Sequence, residues 1–141
     1  RLAMRAAIPV GHRLSKSLEI SLSDLEGEVF VGAPEKDVPG RNAWVSRLCA
    51  KAGFKAKFAD DASSLGESFS MVVGQSAISL FPDYVDGSPP PGIVFVKIVD
   101  AWVYWDYLVF RQPGRGSEPA RALVELLVEN GRRWQGTKSR H

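Results

Sequence analysis

Cysteine is almost missing: Cys49 is the only one among 141 residues, which excludes an internal disulfide and any cysteine-rich metal site. Such usage fits a reducing compartment, and a cytoplasmic location is expected. Histidine is scarce too, limited to His12 and the terminal His141. Nucleophilic catalysis needs a Ser, Cys or Thr beside an oriented base, and neither histidine is placed to serve one. Charge of one sign is lacking, since 18 basic and 16 acidic residues leave a net +2. The basic residues gather only at Arg132, Arg133, Lys138 and Arg140, which is a solvated end and no nucleic-acid footprint. No stretch approaches the ~20 apolar residues of a membrane-spanning helix, and the first residues lack the three-part pattern of a secretory signal. The chain opens on Arg1 without an initiating methionine, so that end carries little information about a leader.

Other chemistries fail on spacing. Asp60 and Asp61 are adjacent, and neighbours in an extended segment point to opposite faces, so turn formation explains them better than a shared acid/base site. Gly114-Arg115-Gly116-Ser117 precedes a helix but lacks the lysine and the full spacing of a phosphate-binding loop. Cys49 falls on the apolar face of a predicted helix, as a buried thiol does. No enzyme and no cofactor are expected.

What is present is a balanced chain, 45% hydrophobic and 24% charged, able to bury one core. Short β-branched or aromatic runs alternate with segments of helical period, which predicts an α/β fold with a largely parallel sheet. Strands are expected at 4–9, 29–32, 55–59, 77–81, 93–99 and 103–111, with a strand or single helical turn at 20–25. A helix from Asn42, capped by Asn42 or by the backbone at Arg41, carries Trp44, Val45, Leu48, Cys49 and Ala52 on one face and stops at Gly53. A second starts at Ser64, where Ser64 and Glu67 have capping-box spacing. Residues 86–92 hold three prolines and read as a loop. A third helix opens at Ser117-Glu118-Pro119 and is expected to stop at Gly131, leaving 132–141 frayed.

Two predicted helices begin directly after strands, one behind Pro39-Gly40-Arg41 and one behind Asp61-Ala62-Ser63. At the carboxyl edge of a parallel sheet such helix N-termini gather around a crevice that favours an anion, and Arg41 adds a bidentate donor for a carboxylate. A solvated Arg41, with serines that only cap their helix, accounts for the same periodicity.

The ordered series Ile8-Pro9-x-x-His12-x-Leu14, Ile20-Ser21-Leu22-x-Asp24-Leu25, Phe30, Cys49-x-x-Ala52-Gly53-Phe54 and Val72 to Pro82 resembles the effector domain of LysR-type transcription regulators over about residues 4–130. The resemblance implies a periplasmic-binding-protein-like α/β fold of type II, with the second lobe complete and only part of the first. Residues 1–11 would be a first-lobe strand and hinge crossing, 12–99 the second lobe, 100–131 the returning strand and first-lobe helix, and 132–141 a flexible tail. It further implies a small-molecule effector bound against Pro39, Gly40, Arg41 and Asn42 with Ser63 and Ser64 opposite, and DNA contact only through a helix-turn-helix upstream of this chain. A stand-alone solute-binding protein of the same fold is the alternative, and upstream sequence separates the two. The family pattern departs at Arg13, where proline usually follows the histidine, and at Gln75-Ser76-Ala77, where Gly-x-Gly is usual. If a positive φ is needed there, Gly74 is the expected supplier. Trp102, Tyr104, Trp105 and Leu123 to Leu127 are expected to face the rest of the first lobe, so this chain should form dimers or larger oligomers.

Overall fold

The computed structural model describes residues 1–87, 89–106 and 117–138, and the chain divides into two compact units, Ala3–Trp105 and Arg1–Leu2 with Asp106 onward. Strand β1, Leu2–Pro9, is the axis of the larger unit. It lies between β5, Ser79–Pro82, and β6, Ile93–Ile98, and is antiparallel to both. The short β2, Glu19–Ile20, runs parallel to β6, and β7, Tyr104–Trp105, also pairs with β1. Strands β3, Val29–Gly32, and β4, Lys57–Asp61, form a parallel pair. A bridge between Phe30 and Ile78 joins β3 to the residue preceding β5.

The sheet is therefore mixed, where the alternation of elements predicted a largely parallel one. Hydrophobic period reports which face a strand buries and not its direction. The partners of β1 lie some seventy residues or more away, so no short crossover forces them parallel to it.

Alternation along β1 places the core. Met4, Ala6 and Ile8 join Phe30, Ile78, Leu80, Val96 and Ile98 under helix α1, Arg41–Lys51, which contributes Val45, Leu48 and Cys49. Ala7 points the other way, to Val31, Ala77, Ile93 and the Met71 and Val72 of helix α2, Leu65–Gly74. The two helices thus cover opposite faces of one sheet.

Several local expectations change. Asn42 does not cap α1: that position is held by Gly40 in the left-handed region at φ 75°, with no side-chain cap. Asp60 and Asp61 extend β4 instead of turning, because a bulge in the β3–β4 register brings Asp61 opposite Gly32. Gly74 stays helical, and Ser76 itself takes the positive φ, at 53°. A 3-10 turn over Asp83–Gly87 takes the first part of the predicted proline-rich loop.

Trp102 and Trp105 are half-buried against the larger unit's own core. Trp105 meets Trp44 edge-on at 4.8 Å, and Lys51 Nζ stands 4.6 Å over the Trp102 ring. Predicted strand residues 107–111 and the Gly114–Gly116 link lie outside the described residues. Helix α3, Glu118–Lys138, runs through Gly131 instead of ending there, so residues 132–138, expected as tail, are helical. Mid-helix glycine costs only ~1 kcal/mol relative to alanine, too little to end a helix by itself. The Ala120 and Arg121 amides both donate to the Ser117 carbonyl, which places Ser117 at the cap. His12 is a structural tie: Nδ1 accepts from the Leu14 amide at 3.2 Å and Nε2 lies 3.1 Å from Glu28 Oε1.

Candidate functional site

Both α1 and α2 begin at the carboxyl end of the parallel β3–β4 pair, α1 after the loop 33–40 and α2 after residues 62–64. Between them lies a cavity of about 230 Å³ whose wall includes Ala33, Val38, Arg41, Ser63, Ser64 and Ser68, with Phe81 also contributing. Three predicted site residues therefore meet there, Arg41 with Ser63 and Ser64. Pro39, Gly40 and Asn42 do not line it.

Arg41 is the first residue of α1, and its side chain folds back onto the sheet. Nη1 donates to the Val31 carbonyl at 2.9 Å and Nη2 to Ser79 Oγ at 3.1 Å. Burial pushes its pKa below the ordinary arginine value, and the nearby Asp61 carboxylate opposes that shift. The group remains a cation with reduced access to water, and an added anion would compensate it.

Asn42 works as a clamp. Its Oδ1 accepts from the Ala33 amide at 3.0 Å, and its Nδ2 donates to the Ala33 carbonyl at 3.1 Å and to Asp61 Oδ1 at 3.4 Å. Asp61 in turn lies over Gly32, where a Cβ would fall 2.1 Å from Oδ1. Glycine at 32 is what lets the carboxylate sit there.

Two backbone donors at the helix starts are already partnered. Gly40 N–H donates to Glu35 Oε1 at 2.8 Å, and Ser63 N–H donates to Glu67 Oε2 at 2.7 Å. Ser64 Oγ accepts from Glu67 N–H at 3.1 Å, so the predicted cap forms, with the Glu67 carboxylate reaching one residue further back than in the usual box. Each helix start holds an acidic side chain of its own.

Sequence reading missed Ser68 and Ser79. Ser68 lies on the buried face of α2 and Ser79 is fully buried in β5, and their hydroxyls are 3.1 Å apart. A serine inside an apolar stripe is a usable signal, because a buried hydroxyl must find a partner. A second, more open hollow of about 390 Å³ at the far end of α1, between Ser46 and Ala56, touches none of the predicted site residues. Among the described residues no acidic, histidine or cysteine side chains group as metal ligands, and no helix is long and apolar enough to cross a membrane.

A mixed sheet with one helix on each face and a cation-bearing cavity at the strand ends defines an α/β unit with a crevice at its strand ends. Residues 1–132 match the family model for the LysR substrate binding domain, and the chain belongs to that family. The fold is that of a type II periplasmic-binding-protein-like domain. It is similar to HinK, a LysR family transcriptional regulator from Pseudomonas aeruginosa, with TM-score 0.66 and 20% identity over 88% of this chain and 43% of that one. It is also similar to the effector binding domain of BenM with benzoate, at TM-score 0.58 and 16% identity over 71% of this chain and 46% of that one. The effector binding domain of QuiR with shikimate gives TM-score 0.55 and 16% identity over 69% and 45%. This chain therefore spans less than half the length of each of these structures. No curated protein sequence matches.

Proposed function

We propose that this chain is the sensing part of a LysR-type DNA-binding transcription regulator and that it binds a small carboxylate against Arg41, with Ser63 and Ser64 across the cavity. Pro39, Gly40 and Asn42 shape the loop that presents Arg41 and need not touch the ligand. One observation carries the reading: a partly desolvated guanidinium, fixed by two hydrogen bonds, stands on the wall of an otherwise largely apolar cavity between two helix starts. A few convergent polar groups in an apolar concavity is how small-molecule sites are built. The division into a lobe over 12–99 and first-lobe pieces at 1–11 and 100–131 belongs to the same proposal, as do a cytoplasmic setting, self-association, and a DNA-contacting part elsewhere in the protein. The role assigned here is binding and not turnover, since occupancy by a ligand is enough to shift a regulator between states.

The test is calorimetric titration with benzoate, shikimate and the neutral benzamide. Arg41→Ala is expected to weaken a binding carboxylate by about 2 kcal/mol, near thirtyfold, and to leave benzamide unchanged. Equal binding of carboxylates to both proteins would sink the proposal.

A further inference from the structure

The hydroxyl of Ser68 has an orientation that an ordinary helical serine lacks. Two residues on, Ser70 does the usual thing and donates back to the Gly66 carbonyl at 3.0 Å. Ser68 instead donates across to Ser79 Oγ at 3.1 Å. Arginine has no acceptor, so the 3.1 Å contact between Arg41 Nη2 and Ser79 Oγ must also be a donation into that oxygen. Ser79, fully buried, thereby receives two donors, one for each lone pair. The proton of Ser68 is committed inward, and Ser68, which is 6% exposed, also forms part of the cavity wall. Toward the cavity it has only acceptor capacity left.

Resting on the site proposed above, we infer that the ligand is a hydroxy acid, whose carboxylate pairs with Arg41 and whose hydroxyl donates to Ser68 Oγ. The two recognition points are linked through the single oxygen of Ser79, so they stand within about two hydrogen-bond lengths of each other. An ammonium donor fits less well, because it would bring a second cation up to the partly desolvated Arg41. A ligand without a donor leaves the buried Ser68 oxygen dry, and that loss separates hydroxy acids from their unsubstituted parents.

The experiment is calorimetric titration of the chain with benzoate, the three monohydroxybenzoates and the three corresponding methoxybenzoates, repeated with Ser68→Ala and Arg41→Ala. One hydroxy isomer is expected to bind roughly tenfold more tightly than benzoate, its methoxy partner to show no such gain, and Ser68→Ala to bring that hydroxy isomer and benzoate to equal affinity. Circular dichroism of each variant establishes that it is folded. The inference is overturned if no hydroxy isomer gains over benzoate, if the gain survives in Ser68→Ala, or if the methoxy compounds gain equally, since that last result makes Ser68 a donor. Failure of the underlying site looks different: carboxylates then bind the Arg41→Ala protein as well as the parent, or none of the series binds at all.

Discussion

Ser76 occupies a backbone conformation that L-residues avoid, at φ 53°, directly after α2. Left-handed backbone costs a non-glycine residue of order 1–2 kcal/mol, and part of this returns as the lower unfolded-state entropy of serine relative to glycine. Ser76→Gly is therefore expected to stabilise the chain by ~0.5 kcal/mol, read as a higher urea midpoint at constant slope. A fall in midpoint would mean that the Ser76 side chain holds the turn. Cys49 gives a second prediction at this scale. Burial raises its thiol pKa from 9.0 to about 11, because the thiolate is disfavoured in the core, although a backbone hydrogen bond pulls it partly back. The unfolded chain then loses this proton at lower pH than the folded one. The stabilisation it gives is complete below pH 9.0 and disappears as the pH rises through about 11. Denaturation curves across that window should fall more steeply for the parent than for Cys49→Ala, and parallel curves would remove the thiol as the cause.

Helix α2 shows how an element serves the cavity and its own start with the same residues. Ser64 Oγ caps the Glu67 amide while Glu67 Oε2 holds the Ser63 amide. Ser64→Ala should cost about 1 kcal/mol in urea denaturation, the usual value of a lost cap. Glu67→Gln retains an acceptor oxygen while removing the negative charge beside the cavity. It is expected to lose less stability than Ser64→Ala and to bind carboxylates more tightly, by roughly threefold at low salt, with the gain shrinking as salt rises. Calorimetry at two ionic strengths checks this, and an unchanged affinity would show that the Glu67 charge does not reach the ligand. This element was also where the sequence was most readable. The Ser64-to-Glu67 spacing located the start of α2, and the apolar stripe located its buried face, because both are local signals. The same proximity to predicted helix starts pointed to Arg41, Ser63 and Ser64, which line the cavity, and equally to Pro39, Gly40 and Asn42, which do not. Ser79 was not, since its role depends on Arg41 and Ser68, which reach it from different elements across the sheet. Strand direction and the bulge that sets Asp61 over Gly32 were hidden likewise, as both arise from pairing between distant segments.

At the scale of the whole molecule, the two units differ in how well each buries its apolar residues. The larger contains both core clusters, from Met4 to Val103. In the smaller, α3 leaves Leu123, Leu126 and Leu127 each more than half exposed, at 57%, 56% and 52%. Leu123 and Leu127 are a helical turn apart and Leu126 flanks them, so the three form one stripe. Contiguous apolar surface of this sort is normally covered by another protein surface. Trp102 and Trp105 are half-buried against the larger unit's own core. Among the described residues, the α3 stripe is the surface on which association is expected. Sedimentation velocity is expected to show a weight-average mass that rises with concentration, and the double variant Leu123→Lys, Leu127→Glu should sediment as a monomer at every concentration. Because these positions are exposed, their replacement should leave the urea midpoint measured at low concentration within ~0.5 kcal/mol of the parent. A parent chain that stays monomeric throughout would mean that the stripe is too small to drive association. A double variant that still associates would place the contact on the larger unit instead.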